Sequence, residues 1–278
     1  MQNKHPFKKI GIVGLGLIGG SLAKAFNNTG ITIYGYDISV ETLKECGVSG
    51  IFESVTDDFD TFINYPLDLI YITLPINASL EFIGKLGKEG VGIPTTDGAS
   101  TKVSIIKAAS EARLNFCGGH PIKGKETSGF KNSDKDLFNG ATHILVPTFN
   151  LELASQLKVL HESIKMNITF MEPDIHDEVF GLVSHFPHLG AFTLMDLVQN
   201  ECPDAFEFSG GGFKDFTRIA ASDPVMWADI FIDNKDAMIN IIDEYIKTIN
   251  NWRDLIEKKD DIKLKEKILA ISNLRKNL

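Results

Sequence analysis

The stretch "KKIGIVGLGLIGGSLAKAF", residues 8–26, decides the fold of this 278-residue chain. A short β-branched run ends in glycines, and Gly14, Gly16 and Gly19 then stand in G-x-G-x-x-G spacing before a segment with helical periodicity. In such a unit the first glycine permits a tight turn, the second lets backbone N–H groups approach a pyrophosphate, and the third lets helix and strand pack closely. The stretch predicts a dinucleotide site at the start of the first helix, where the helix dipole favours negative charge.

The residue that closes the second predicted strand bears on the type of nucleotide. "ITIYGYD" ends at Asp37, close to the spacing of about 20 residues at which a carboxylate accepts hydrogen bonds from a ribose diol. A carboxylate there repels a 2′-phosphate and no arginine follows it immediately, so NAD is favoured over NADP. Leu17 and Ile18 complete the predicted cofactor loop. The glycine pattern alone could be an ordinary strand-to-helix turn, but strand, loop, helix, strand and acid together favour the dinucleotide site.

Strand and helix patterns alternate along the first part of the chain. The predicted strands are "KKIGIVGLG", "ITIYGYD", "LDLIYITLP", "GIPTTDGAS", "RLNFCGGH", "ATHILVP" and "ITFMEP". Alternation of this kind indicates β-α-β units with right-handed crossovers and a mainly parallel sheet. Strand signals fade after Pro173 and helical patterns follow. We therefore expect an α/β, Rossmann-type dinucleotide-binding domain over residues 1–172 and an all-α C-terminal dimerisation domain over residues 173–278.

The longest predicted helix begins near Asn234 and carries an apolar seam with alternating spacings of four and three. Its members are Met238, Ile242, Tyr245, Ile249, Trp252 and Ile256. A seam with this heptad-like period packs lengthwise against another helix. The partner helix could belong to the same chain, but a large seam on a small helical domain favours a subunit interface, so we expect a homodimer.

Composition excludes several classes of protein. Hydrophobic residues make up 43% and charged residues 23%, which is typical of a globular protein, and the net charge of -9 argues against a nucleic-acid partner. The three cysteines form no C-x-x-C pair, so neither a disulfide framework nor a zinc ribbon is predicted. No signal peptide and no run of 18 apolar residues is present, so we expect a cytoplasmic protein without membrane contact.

A base is required if the predicted nicotinamide cofactor accepts hydride from a carbon whose hydroxyl loses its proton. A neutral histidine, whose ordinary pKa is about 6.5, suits that task near neutral pH. His5 stands at the N-terminus, and His143 and His161 fall in strand and helix patterns where a satisfied structural histidine is expected. The other histidines are His120, His176, His185 and His188.

His120 lies in "FCGGHPIKGKETSGF", residues 116–130, at the end of the predicted strand "RLNFCGGH" and therefore at the edge where strand carboxyl ends form the ligand crevice. Pro121 and the glycines before His120 favour an exposed ring. Ser100 follows the preceding strand and is expected at the same edge, near the imidazole; it could instead cap the helix that begins near Lys102. A rim over an anionic substrate is expected from Lys123, Lys125, Glu126 and Ser128.

Five motifs in the same order make the chain similar to the prephenate dehydrogenases of the TyrA family, enzymes of tyrosine biosynthesis. These motifs are "GLGLIGGSL", "DGASTK", "GGHPIKGKETSG", "SHFPH" and "GGFKDFTRIAASDPVMWADI". The resemblance implies an NAD-dependent oxidative decarboxylation of prephenate to 4-hydroxyphenylpyruvate. It implies that His120 accepts the ring hydroxyl proton and that Ser100 positions His120 and the hydroxyl.

The resemblance also implies substrate-binding residues in the helical domain. Arg218 matches the family arginine that binds a substrate carboxylate, a task for which a planar guanidinium is suited; a surface ion pair with Asp215 or Asp223 is the alternative. His185, His188 and, more weakly, Ser184 are implied to line the substrate pocket. Two histidines three residues apart could also bind a metal with Asp177 or His176, but the chemistry needs none and no third ligand has suitable spacing, so no metal is expected.

Two residues depart from the family pattern, and three other functions compete. Lys123 stands where alanine is usual and Lys214 where arginine is common, so we expect altered affinity rather than lost function. Arogenate dehydrogenase differs by one amine on the substrate. A β-hydroxyacid dehydrogenase would use a lysine base in the helical half, and a non-catalytic NAD-binding regulator would bind without turnover. Tyrosine, if it inhibits, is expected to act at the active site.

Overall fold

The computed structural model describes residues 6–124, 127–148 and 150–278, so the expectations for His5, Lys125 and Glu126 lie outside the described residues. Eight strands form one sheet in the order β3-β2-β1-β4-β5-β6-β7-β8. Neighbouring strands are parallel except for β6 and β7, which are antiparallel, so the predicted mainly parallel sheet is confirmed. The strands are β1 (Lys9–Val13), β2 (Thr32–Tyr36), β3 (Phe52–Thr56), β4 (Leu69–Ile72), β5 (Thr95–Asp97), β6 (Phe116–Pro121), β7 (Thr142–Pro147) and β8 (Asn167–Phe170).

Helices connect the strands of the sheet, and several begin at side chains that accept a hydrogen bond from the first turn. Ser39, Asp58 and Asn150 each cap a helix in this way, which satisfies backbone N–H groups that have no partner within the helix. The helices are α1 (Leu17–Asn27), α2 (Val40–Gly47), α3 (Phe59–Ile63), α4 (Ile76–Lys88), α5 (Val103–Glu111) and α6 (Leu151–Glu162).

The chain beyond β8 is helical, as predicted. One π-helical turn, Gly181–His185, joins the first two helices of this half. Pro187 lies in the first turn of the second of these helices, where a residue without an N–H group is tolerated. Single 3-10 segments cover Pro203–Phe208 and Arg218–Ala221. The helices are α7 (Pro173–Phe180), α8 (Phe186–Glu201), α9 (Gly211–Thr217), α10 (Pro224–Asp233), α11 (Lys235–Glu257) and α12 (Asp261–Lys276).

The apolar seam of α11 is buried only at its start. Met238 is 3% exposed, whereas the exposed fractions of Tyr245, Ile249 and Ile256 are 47%, 48% and 62%. Helix α12 packs against α11 without covering these side chains. A row of large apolar side chains in contact with water is typical of a surface that binds another protein subunit.

Hydrogen bonds join the helical half to the α/β half close to the carboxyl edge of the sheet. The Asn77 side chain on α4 donates to Asp229 on α10 at 2.7 Å, and the Ser104 hydroxyl on α5 donates to Asp233 at 2.7 Å. These contacts place α10 beside the helices that follow β4 and β5. Within the described residues, no helix has both the length and the apolar content needed to cross a membrane.

Candidate active site

The glycine loop after β1 has the geometry that the sequence predicts for a phosphate-binding turn. Gly14 has φ +86°, a conformation that side chains rarely adopt, and a Cβ on Gly19 would lie 2.0 Å from the Gly14 carbonyl oxygen. A Cβ on Gly16 would meet nothing within 4 Å. Helix α1 then begins at Leu17 without a side-chain cap, so no capping side chain accepts from its first N–H groups. An anionic diphosphate fits this arrangement.

Asp37 lies beside the same loop. One carboxylate oxygen accepts a hydrogen bond from the backbone N–H of Leu15 at 2.7 Å, and the other accepts from Ser39 at 2.8 Å. These two bonds orient the carboxylate at the end of β2, next to the turn that would hold the phosphates. Leu17 is buried and Ile18 packs against the core, so these two residues support the loop from within.

His120 is the penultimate residue of β6, and its ring is partly buried. Its Nδ1 lies 2.8 Å from Nε2 of His176 on α7, and the ring packs edge-on against Phe180. Burial lowers the pKa of His120 well below its ordinary value. The imidazole is therefore neutral at physiological pH, which is the form that can accept a proton.

Ser100 lies on the loop between β5 and α5 and does not cap the helix. The cap position belongs to Lys102, and the carboxylate of Asp177 accepts the N–H groups of Lys102 and Val103 at 2.8 and 2.9 Å. The alternative role of Ser100 as an N-cap is therefore wrong, because a carboxylate from the helical half performs that function. Ser100 is half-buried on the loop that follows β5.

A fully buried ion pair fixes this loop beside His120. The Lys102 ammonium contacts the Asp97 carboxylate, which also accepts the N–H groups of Ala99 at 2.8 Å and of Gly119 at 2.9 Å. Since Gly119 precedes His120, the pair ties the Ser100 loop to the strand that carries the histidine. The ion pair is not evident from the sequence: both residues fall in the "DGASTK" motif, but nothing in the pattern shows that the lysine is buried.

Two implied substrate residues of the helical half, His185 and His188, pack against Trp227 on α10. The rings of His188 and Trp227 stack with centroids 3.7 Å apart, and the His185 ring lies edge-on to the same tryptophan at 6.2 Å. His188 Nδ1 donates to the Ser184 carbonyl at 2.9 Å, which leaves Nε2 as the acceptor. Burial is the largest cause of the lowered pKa of His188, and the charge of Arg218 adds to it. The sequence analysis did not single out Trp227.

His185 is buried and forms a hydrogen bond within the helical half. Its Nδ1 accepts from the Asn234 amide at 3.1 Å, and burial lowers its pKa to about 4. Its Nε2 and the Trp227 Nε1 have no hydrogen-bond partner among the described residues. In the described part of the chain, no group of three or more His, Cys, Asp or Glu side chains could hold a metal ion.

The two histidines expected to be structural differ from each other. His161 is satisfied, with Nδ1 2.7 Å from the Leu157 carbonyl and Nε2 3.2 Å from the Tyr71 hydroxyl. His143 is fully buried, and neither ring nitrogen has a hydrogen-bond partner among the described residues, so the expectation of a satisfied residue is wrong for His143. Lys123 and Lys214 are exposed.

Comparisons with known proteins agree with this geometry. Residues 22–168 match the family model "Prephenate dehydrogenase, nucleotide-binding domain", and residues 172–269 match "Prephenate dehydrogenase, dimerization domain". Prephenate dehydrogenase of Bacillus subtilis is 35% identical over 261 residues, which cover 90% of this chain and 70% of that protein.

Solved structures extend the similarity to the whole fold. Prephenate dehydrogenase from A. aeolicus, in complex with hydroxyphenyl propionate and NAD+, is 34% identical with a TM-score of 0.91, and the match covers 97% of this chain and 98% of that chain. Arogenate dehydrogenase from Synechocystis is 25% identical with a TM-score of 0.85, covering 97% and 99%.

The sheet, the glycine loop and the histidine at the strand ends define a nucleotide-binding oxidoreductase with a helical second domain. The chain belongs to the prephenate dehydrogenase family. Membership of this family favours a catalyst over a non-catalytic regulator and over a β-hydroxyacid dehydrogenase. The second family model also gives the helical half its description as a dimerisation domain.

Proposed function

We propose that this chain catalyses the oxidative decarboxylation of prephenate to 4-hydroxyphenylpyruvate, with NAD as the hydride acceptor. The observation that carries the proposal is His120, a neutral imidazole at the carboxyl edge of the sheet, on the strand next to the Ser100 loop. The family membership supplies the substrate class, and the glycine loop with Asp37 supports the cofactor. The domain limits, residues 1–172 and 173–278, are part of the proposal.

The chain's residues have defined tasks in this reaction. His120 takes the proton of the ring hydroxyl: the O–H bond breaks, an N–H bond forms, and the oxygen electrons form a carbonyl bond. When bound, NAD would supply the acceptor for the hydride that leaves the same ring carbon. The bond to the ring carboxylate breaks and its electrons move through the ring to the carbonyl oxygen, so carbon dioxide leaves and the aromatic phenolate forms. His120 returns its proton to this oxygen, which gives the phenol.

The substrate is a dianion, so the cationic and polar side chains of the helical half are assigned to binding. Arg218 offers a planar fork for a carboxylate. Its charge acts on His188, which supports placing both on one side of the cleft. His185, His188 and Ser184 are assigned to the pocket wall and Ser100 to the ring hydroxyl. Arg218 should raise affinity, whereas Ser100 should act on both binding and turnover.

The cofactor is assigned to the loop that contains Gly14, Gly16, Leu17, Ile18 and Gly19. The open space at Gly16 and the uncapped start of α1 favour a diphosphate, and the oriented carboxylate of Asp37 disfavours a 2′-phosphate. We expect kcat/KM for NAD to exceed that for NADP by at least about 100-fold, because a buried like-charge contact costs several kcal/mol. The Asp37→Ser variant should narrow this ratio.

A direct assay decides between the two substrates of the family. Purified protein is mixed with NAD and either prephenate or arogenate, and NADH formation is followed by absorbance. We expect turnover of prephenate, with arogenate as the second substrate because the Synechocystis relative is an arogenate dehydrogenase. If neither compound yields NADH, the proposed function is wrong. Tyrosine, added to the same assay, should raise the apparent KM without changing kcat if it competes at the site.

The assembly is assigned to a homodimer formed through the helical half. The exposed α11 side chains Tyr245, Ile249 and Ile256 support this surface, and so does the match to a dimerisation domain. Light scattering after size-exclusion chromatography should give twice the chain mass for the wild type. Ile249→Asp should shift the mass toward one chain, whereas Lys247→Asp, an exposed position on the same helix, should not.

A further inference from the structure

A chain of hydrogen bonds continues from His120 into the helical half. His120 Nδ1 lies 2.8 Å from His176 Nε2, and His176 Nδ1 lies 2.7 Å from Oδ1 of Asp177. His176 is fully buried and Asp177 is 5% exposed, so water competes little with these contacts. The sequence suggests His176 and Asp177 only as possible metal ligands, an alternative that was not favoured, and neither residue belongs to one of the five family motifs.

The partners of Asp177 fix the direction of every hydrogen bond in the chain. Its oxygens also accept the N–H groups of Lys102 at 2.8 Å and Val103 at 2.9 Å, so the carboxylate acts as an acceptor. His176 must therefore donate from Nδ1, which leaves a lone pair on its Nε2. That lone pair can only accept, so His120 donates from Nδ1. The second nitrogen of His120, Nε2, is then left with a free lone pair.

Electrostatics support this assignment. Burial is the first cause of the low pKa of His176, which falls to about 2, so this ring is neutral under physiological conditions and has one donor and one acceptor. A neutral His176 accepts from His120 without repelling it. The negative charge of Asp177, one ring further away, stabilises the positive charge that His120 gains when it takes a proton.

We propose that His176 and Asp177 are positioning residues that hold His120 in the tautomer whose free Nε2 accepts the hydroxyl proton of the substrate. This inference rests on the proposed function of His120 as the base. Asp177 also caps α5, directly after the Ser100 loop, so one carboxylate orders both the base and the segment that carries Ser100. The contact between the two halves is thereby linked to the orientation of the base.

Several titratable or charged groups surround His120. They lie on α7, on the π-helical turn, on the β5–α5 loop and on β7: His176, Asp177, His185, Lys102, Asp97 and His143. Burial keeps the pKa of His176 at about 2 and that of His185 at about 4, and Lys102 is paired with Asp97. A difference in the acid limb of the rate profile between variants at position 176 can therefore be assigned to His120.

The first test compares two variants of similar size at one position. In His176→Gln the amide oxygen can replace Nε2 as the acceptor, whereas His176→Leu removes it. We expect His176→Leu to lower kcat by about 100-fold with KM within about threefold, because an unpaired ring populates the wrong tautomer. His176→Gln should retain kcat within about tenfold. Thermal unfolding of both variants, measured beside the wild type, shows whether each is folded.

The pH profile separates positioning from a merely structural role. An acceptor at Nδ1 stabilises protonated His120 more than neutral His120, so it raises the pKa of that ring. Loss of the acceptor should therefore move the acid limb of kcat/KM to lower pH in His176→Leu and leave it in place in His176→Gln. If the two variants lose equal activity with unmoved limbs, the positioning role is wrong.

A second readout does not depend on turnover. Nitrogen-15 NMR of histidine-labelled protein, loaded with NAD at neutral pH, reports which ring nitrogen carries the proton, and the signals of His120 are assigned by their loss in His120→Asn. We expect a proton on Nδ1 and none on Nε2 in the wild type, and a mixture in His176→Leu. A proton on Nε2 in the wild type overturns the inference. The proposed function fails separately, if the wild type does not oxidise prephenate.

Discussion

Two pairs of histidines lie on opposite faces of β6 and β7. His120 pairs with His176 through a 2.8 Å hydrogen bond, whereas His143 stacks on His161 with ring centroids 4.0 Å apart. Side chains alternate between the faces of a sheet. Accordingly His120, opposite Ile144, faces α7, and His143, opposite Pro121, faces α6.

Burial is the largest cause of a lowered pKa in all four rings. A depressed pKa therefore does not by itself identify the base. The pairs differ in their partners: the His120 pair ends on the carboxylate of Asp177, whereas His143 has no hydrogen-bond partner among the described residues. Position also differs, because the first pair packs against Phe180 on α7, which leads directly into the turn that carries Ser184 and His185. We expect the first pair to control turnover and the second to control acid stability.

The largest effect is expected for substrate binding on the His120 side of the sheet. Arg218→Lys keeps the charge but loses the bidentate fork, so KM for prephenate should rise by about 100-fold with little change in kcat. The matched control is Arg253→Lys, an exposed position on α11, which should leave KM unchanged. Steady-state kinetics measure both. An unchanged KM in Arg218→Lys would contradict the assignment of Arg218 as the residue that binds the substrate carboxylate.

The second pair should control the loss of stability in acid. The pKa of His161 falls from about 6.5 in the unfolded chain to about 4 in the fold, so between these values the unfolded chain binds more protons. The free energy of unfolding must then fall as pH falls through that window. From pH 6.5 to pH 5, urea unfolding should show that the wild type loses about 2 kcal/mol more than His161→Leu. Equal losses would contradict the assignment.

Ser100→Ala should lower kcat by about tenfold and raise KM, because one hydrogen bond to the reacting hydroxyl contributes about 1.4 kcal/mol. Ser110→Ala, at an exposed position on α5, is the control and should have wild-type kinetics. If Ser100→Ala changes neither constant, the loop after β5 contributes only structure. The difference in catalytic importance between the two faces of the sheet would then depend on His120 and its hydrogen-bond partners alone.

The smallest effect is expected for His143. Its two ring nitrogens are buried without partners among the described residues, so replacement by leucine should raise the free energy of unfolding by about 1 kcal/mol at neutral pH. The kcat should stay within about twofold of the wild type. Urea unfolding that shows a clear loss of stability would indicate a partner for this ring.

Much of the fold could be predicted from the sequence because its patterns are local. The glycine spacing, the buried run of β4 and the long apolar seam of α11 each follow from neighbouring residues. The prediction missed β3 and α3. Strand β3, "FESVT", is a half-exposed edge strand in which three of the five residues are polar, so it lacks the continuous apolar run of the inner strands.

The site was predictable only in part. His120 could be found because it follows glycines at the end of a predicted strand, and the family motifs point to Arg218. The bonds from His120 to His176 and Asp177 could not be predicted, because 56 residues separate the two rings and no local pattern shows which face of α7 meets the sheet. The same limit explains why the sequence suggested Ser100 as a possible cap of α5 and gave no sign that Asp177 fills this role.

The central claim is that His120, and not the other buried histidine on the neighbouring strand, is the base. The most direct measurement is kcat with prephenate and NAD for His120→Asn beside His143→Leu, with both variants shown to be folded. General-base catalysis contributes about 10²–10⁴-fold, so kcat of His120→Asn should fall by at least about 100-fold, while His143→Leu stays within about twofold. Full activity in His120→Asn, or equal losses in both variants, would contradict the account.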